Sequence, residues 1–313
     1  MKKLIWIITI FYFSFSQASP IIEASKNEEI QVGRFAFMDI LNNRIVEYDI
    51  SGNLTWEFKL PWTMSTRFIQ GGADVEWLPG TDSFLFVLPK AGVYEVNRDK
   101  KIVWKYETTA ISHDADRLPN GNVIFVNGWD TENEPTFTEV NRGGDVIQQW
   151  FASKNIDPSL DKKNDQVRSE PYTYTHANAI NRLADGSTLV SLRNFNMYVI
   201  VRDGVIMERK GDIHNLHDPV LLGDKLCFAA RNPNRVECRS NGVQNLRFAP
   251  NDKLWQPMRT VEPLKNGNLL ITGSALIGQL SPKGDLVWSV KFTEFGFQND
   301  GKPFIFKATW VYK

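Results

Sequence analysis

Three of the four histidines in this 313-residue sequence stand in similar local settings. His113 opens HDADRLPNGNVIFV, His176 lies in THANAINRL, and His217 opens HDPVLLGDKLCF. Asn178, Arg193 and Arg259 occupy comparable places, and Tyr174 precedes His176 by two residues. These residue types define a chemistry. A neutral imidazole has a lone pair that can attack or take a proton, and an N–H that can give one. A guanidinium offers a planar fork matched to two oxygens of a tetrahedral anion, and an amide adds a neutral donor. Together they suit the transfer of an anionic group. His214-x-x-His217 has no Cys or third His near it in sequence, so neither a metal nor a cofactor is expected.

The element that positions four of these residues spans 174–193. It reads as a hairpin with arms 178–183 and 188–193 and a turn at 184–187. Asp-Gly between two alternating runs signals a tight primed turn, because such a turn needs positive φ at its centre. With Asp185 and Gly186 as the two central residues, paired positions add to 371 and Arg193 faces Asn178. His176 then shares that face. A one-residue slip would turn Arg193 away.

The hairpin recurs. A short strand ending in Leu, a Gly-containing turn and an apolar strand appear at Leu78, Leu118, Leu183, Leu222 and Leu264, at intervals of 40, 65, 39 and 42 residues. The long interval holds an insertion at 151–173, rich in Lys, Asp, Asn and Ser. Outer hairpins such as SGNLTW, RDKKIVW, RGGDVIQQW and PKGDLVW complete the blocks. A period near 40 with four short strands is that of a propeller blade. Five blocks are complete. Residues 34–60 supply three further strands, and 304–312 supply one. The expected fold is therefore all-β: a six-bladed β-propeller with four-stranded blades, its ring closed by the C-terminal strand. A sandwich or solenoid is the alternative. Closure hides the edges that a lone sheet would expose. Five residues before each anchoring leucine stand Ala73, His113, Asn178, His217 and Arg259. Equivalent by repeat, they should ring one mouth of the central channel.

Composition narrows the partners. Lys plus Arg and Asp plus Glu each number 36. With no global basic field, nucleic acid and anionic membrane are not expected partners. Residues 1–18 read as a signal peptide: Lys2 and Lys3, an apolar run at 4–15 too short to favour a membrane span, and Ser16-Gln17-Ala18 before the expected cleavage point. An uncleaved anchor is the alternative. Residues 19–313 then form one propeller domain, exported to the periplasm or secreted, without a membrane anchor. Export permits a disulfide. Cys227 and Cys238 would face each other across a hairpin turning near Asn232-Pro233, either bridged or as two reduced buried thiols.

THAN with Arg193 beyond it, SHDADRLPNGNVIFV, and LHDPVLLGDKLCFAARNPNRVE resemble the arylsulfotransferase family of exported six-bladed propellers, over roughly residues 71–270. The resemblance implies sulfuryl transfer from an aryl sulfate ester to a phenolic acceptor, both small molecules. It places a covalently sulfated histidine at His217. It gives catalytic or binding roles to His113, His176, Asn178 and Arg193. Arg259 and Tyr174 are candidate substrate contacts, and Tyr172 and Trp129 are candidates to hold an aryl ring. The 151–173 loop is a candidate lid. Asp218 is a candidate to steady His217, although neighbours on a strand face opposite ways. Here the chain is short, without a clear additional N-terminal domain.

Three other readings fit parts of the pattern. A non-catalytic propeller that binds protein or glycan leaves the polar ring unexplained. A propeller polysaccharide lyase or hydrolase would need more Arg and Lys around the channel for an acidic sugar. A quinone site would use the repeated Trp residues, which blade packing explains more simply.

Overall fold

A computed structural model describes residues 20–24, 29–40, 42–65, 72–157, 159, 173–231, 233–292 and 305–312. The proposed signal peptide, Tyr172 and most of the 151–173 insertion lie outside these residues. Among the described residues, no helix is long and apolar enough to cross a membrane.

Six antiparallel sheets form a ring. Blade I combines the C-terminal strand Ala308–Val311 with Arg34–Asp39, Arg44–Asp49 and Leu54–Lys59. The C-terminal strand is innermost and pairs with the second strand from Phe37↔Ala308 to Arg34↔Val311, so the missing first strand of this block comes from the other end of the chain. The inner strands of blades II to VI are Asp74–Leu78, Ala115–Arg117, Ala177–Arg182, Leu216–Leu222 and Thr260–Pro263. Blade VI gains a fifth, outermost strand, Ile21–Ala24, on Leu286–Lys291. Nothing in the 40-residue period announced it.

The recurring leucine marks one turn type. In three blades its carbonyl accepts from a glycine N–H three residues on: Gly121 to Leu118, Gly186 to Leu183, and Gly267 to Leu264. Each glycine is left-handed, with φ of 86°, 84° and 87°. This is a three-residue loop closed by a residue at positive φ, which glycine adopts without steric cost. The two-residue primed turn expected at Asp185-Gly186 is therefore corrected. Pairs run Arg182↔Thr188 to Ile180↔Val190, adding to 370, and then slip at a bulge to Ala177↔Leu192.

The repeated Trp residues clasp neighbouring blades. The indole N–H of Trp56 donates to the Arg98 carbonyl, Trp104 to Arg142, Trp150 to Gly204 and Trp288 to Ile50. Each contact joins an outer strand to a turn of the next blade, satisfying a buried donor while burying a large ring. Cys227 and Cys238 are directly paired and bonded to each other. They are fully buried in the core shared by blades V and VI.

Candidate active site

The ring predicted from the repeat assembles at one mouth. His113, His176, Asn178, Arg193, His217 and Arg259 are all at least nine-tenths buried. The sixth ring position is Phe306, just before the C-terminal strand. Its ring lies 5.4 Å from that of His113 and under the Arg259 guanidinium at 4.9 Å.

His217 is held in one tautomer. Its Nδ1 lies 2.8 Å from the Asn215 carbonyl, which can only accept, so Nδ1 carries the proton. Nε2 therefore presents its lone pair, and it meets Arg259 Nη1 at 3.0 Å. Burial keeps the imidazole well below the usual histidine range, reinforced by Arg259, Arg193 and Arg231; the Asn215 hydrogen bond opposes the shift. Arg231 was not singled out from sequence. It ends the strand Lys225–Arg231, half-buried beside the site. Its signal was available: it lies two residues beyond Ala229, the partner of His217 in the blade V hairpin, at the same end of the block.

His113 and His176 lie ring to ring, 4.9 Å apart. Burial and then the Arg193 cation keep both neutral. His176 does not share a pleated face with Asn178, as the hairpin pattern implied, because it precedes the strand and sits at φ 48°. Buried Asp130 holds that segment. Its carboxylate accepts from the Thr175 N–H and hydroxyl, and its carbonyl accepts from the Tyr174 N–H. Burial raises the Asp130 carboxyl to about 7.

Arg193 is not paired across a strand from Asn178, as the 371 register implied. It begins a 3-10 turn, Arg193–Phe195, yet it still faces the site, where its cation bears on all three imidazoles. Asn178 donates to the Leu216 carbonyl at 3.1 Å and accepts from the Ser191 hydroxyl at 2.5 Å. It thereby ties blade IV to blade V. Tyr174 packs edge-on against Phe195 within the core between blades III and IV, not over the ring. Trp129 does reach the site, 5.0 Å from His113. Asp218 turns away from His217, accepting from the Val261 N–H and pairing with Lys307. His214 is exposed. Among the described residues, no cluster of His, Cys, Asp or Glu is arranged to hold a metal.

Two glycines let the backbone close around His113. A Cβ on Gly128 would lie 2.9 Å from His113 Nδ1 and inside the contact radii of Ser112 Oγ and the Ala177 carbonyl. A Cβ on Gly72 would lie 3.0 Å from His113 Cδ2. Gly128→Ala is expected to displace His113 and cost about 1–3 kcal/mol by overpacking. Thermal melting together with turnover checks this; a variant with wild-type values of both would refute it.

Beyond the ring residues, along the inner strands, a cavity of about 390 Å³ is lined by Asp74, Glu76, Asp114, Asp116, Asp218 and Glu262, among others. Burial raises Glu76 to about 7 and Glu262 to about 8. These acidic groups, ionised or protonated, outnumber Lys265 and Lys307 in the same lining and offer an anionic substrate little attraction. The arginine-lined mouth would attract one.

This is a six-bladed propeller that gathers neutral imidazoles and arginines at one mouth of its channel. The chain belongs to the arylsulfotransferase family, whose model matches residues 3–212. That match includes His113, His176, Asn178 and Arg193 and stops short of His217. No functionally curated protein matches the chain. Among solved structures it is similar to a protein of unknown function from Bacteroides caccae, with 16% identity, a TM-score of 0.63, and coverage of 90% of this chain and 100% of that one. It is also similar to a streptogramin B lyase, with 13% identity, a TM-score of 0.57 and 95% of each chain covered. A virginiamycin B lyase from Staphylococcus aureus has 14% identity, a TM-score of 0.52, and coverage of 88% of this chain and 85% of that one. At these identities the likeness is one of fold.

Proposed function

We propose that this protein moves a sulfuryl group from an aryl sulfate ester to a phenolic acceptor, with His217 carrying the group between the two. The observation that carries the reading is the His217 tautomer, which leaves an Nε2 lone pair beside Arg259 at 3.0 Å.

In the first half-reaction Nε2 attacks the ester sulfur. An N–S bond forms, the S–O bond breaks, and its electron pair leaves on the aryl oxygen. Positive charge that develops on the imidazole is met at Nδ1–H by the Asn215 carbonyl. Arg259 exchanges its contact with Nε2 for one with a sulfuryl oxygen, and Arg193 holds the others. The equatorial oxygens carry much of the charge, so preorganised donors supply most of the catalysis. A phenol has a pKa of about 10, so a hydrogen bond from the N–H of neutral His113 or His176 to the bridging oxygen aids departure without being indispensable, and the departing phenolate takes its proton from solvent. The acceptor phenol then gives its proton to the same imidazole pair. Its oxygen bonds to sulfur, and the N–S electron pair returns to Nε2.

A chromogenic aryl sulfate, incubated with and without a phenol, tests the reading. Acceptor-dependent release of the donor phenol is expected. Release independent of acceptor would mean hydrolysis, and no release would favour a binding protein or a lyase. Export to the periplasm or medium belongs to the same proposal, since it rests on residues 1–18.

A further inference from the structure

The C-terminal strand does more than close the ring. Phe306 and Lys307, which precede it, enter the channel at two successive levels. Lys307 Nζ lies 2.7 Å from Asp114 Oδ1, 3.3 Å from Asp218 Oδ1 and 3.7 Å from Asp74 Oδ1. Asp114 and Asp218 directly follow His113 and His217. Each uses its other oxygen on the next blade: Asp114 Oδ2 accepts from the Ile180 N–H at 2.7 Å, and Asp218 Oδ2 from the Val261 N–H at 2.8 Å. Ile180 is two residues beyond Asn178, and Val261 two beyond Arg259. One buried cation is thereby bonded, through two carboxylates, to the four inner strands that present His113, Asn178, His217 and Arg259.

We infer that Lys307 is a positioning residue for sulfuryl transfer, a strut across the axis that fixes His217 and Arg259 relative to His113. The inference rests on the reading of His217 given above. Lys307 touches no reacting atom. It acts through Asp114 and Asp218 on the strands behind the imidazoles. A displacement of about 1 Å in such a constellation costs on the order of 100-fold in rate. Anion capture by Arg193 and Arg259 lies on the other side of these carboxylates, so binding should change much less than turnover.

The competing role is charge balance alone, because three buried carboxylates without their cation are costly. Two variants separate the roles. Lys307→Met removes the strut and the charge. Lys307→Met with Asp114→Asn and Asp218→Asn also removes the strut but takes the formal charge of the cluster from −3 in the single variant to −1, smaller than the −2 of the wild type, and each Asn oxygen can still accept from Ile180 or Val261. Steady-state kinetics with an aryl sulfate and a phenol should show kcat down roughly 100-fold in Lys307→Met with donor KM within about threefold. The triple variant should melt near the wild type yet remain at least about 30-fold slow. Recovery of the triple variant to within about threefold of wild-type kcat would overturn the inference, as would a fully active Lys307→Met. If Lys307→Met does not fold, the triple variant decides alone. Histidine ¹⁵N spectra give a readout independent of turnover. The wild type should show His217 as the single Nδ1–H tautomer, and the triple variant a mixture; an unchanged spectrum would remove the strut. If the wild type turns over no aryl sulfate, the functional reading falls while these spectra still judge Lys307.

Discussion

His217→Ala is expected to abolish transfer from an aryl sulfate, a fall of at least about 10⁴-fold in kcat, because on the proposed mechanism loss of the nucleophile removes the covalent route itself. The other ring residues remain. Arg193 and Arg259 still offer donors to the anion, so donor binding measured by titration should stay within a few-fold of the wild type. The fold should survive, since His217 is one side chain at the channel mouth and the blade contacts lie elsewhere. Parallel melting curves check that point. Turnover by a folded His217→Ala variant at wild-type rate would assign the chemistry to another group.

Arg259→Met has the second largest expected effect, through two separable routes. It removes a donor aimed at the reacting group, a loss on the order of 10²–10³ in kcat/KM. It also removes a cation that helps keep His217 neutral. Burial is the first cause of the low His217 pKa, and Arg259 the first of the charges. Without Arg259 the folded-state pKa rises, so the attacking lone pair is lost to protonation at higher pH than in the wild type. The acid limb of the kcat/KM profile should therefore move to higher pH. A uniform fall in rate with an unmoved acid limb would confine Arg259 to oxyanion binding.

Much of this was legible in the sequence because a propeller repeats. The leucine and glycine of each block mark one turn, and counting back from the leucine finds His113, Asn178, His217 and Arg259 on one ring. Blade IV departs from ideal strand geometry. The loop at 184–186 holds three residues rather than two, and the bulge at Asn178 and Ala179 undid the face alternation. His176 and Arg193 reach the site through a left-handed residue and a 3-10 turn, held by Asp130 and by Asn194, whose amide donates to the Thr173 and Tyr174 carbonyls and whose backbone N–H donates to that of Thr175, rather than by pleat. Asn178 already bonds Ser191 and Leu216. Tyr174 went to the core because Phe195, distant in pattern but adjacent in space, supplied a partner for its ring. Phe306 and Lys307 were out of reach because their block begins at the other end of the chain. No local period links Lys307 to Asp114 and Asp218.

The central claim is the covalent role of His217, and a trapping experiment tests it most directly. The protein is mixed with an aryl sulfate in the absence of acceptor, quenched in alkali to preserve an N–S bond, and digested for mass measurement. One SO₃ increment is predicted, on the peptide that carries His217, and it should vanish when a phenol is added. Phenol formation with no adduct at any time, or an adduct on a different residue, would contradict the account.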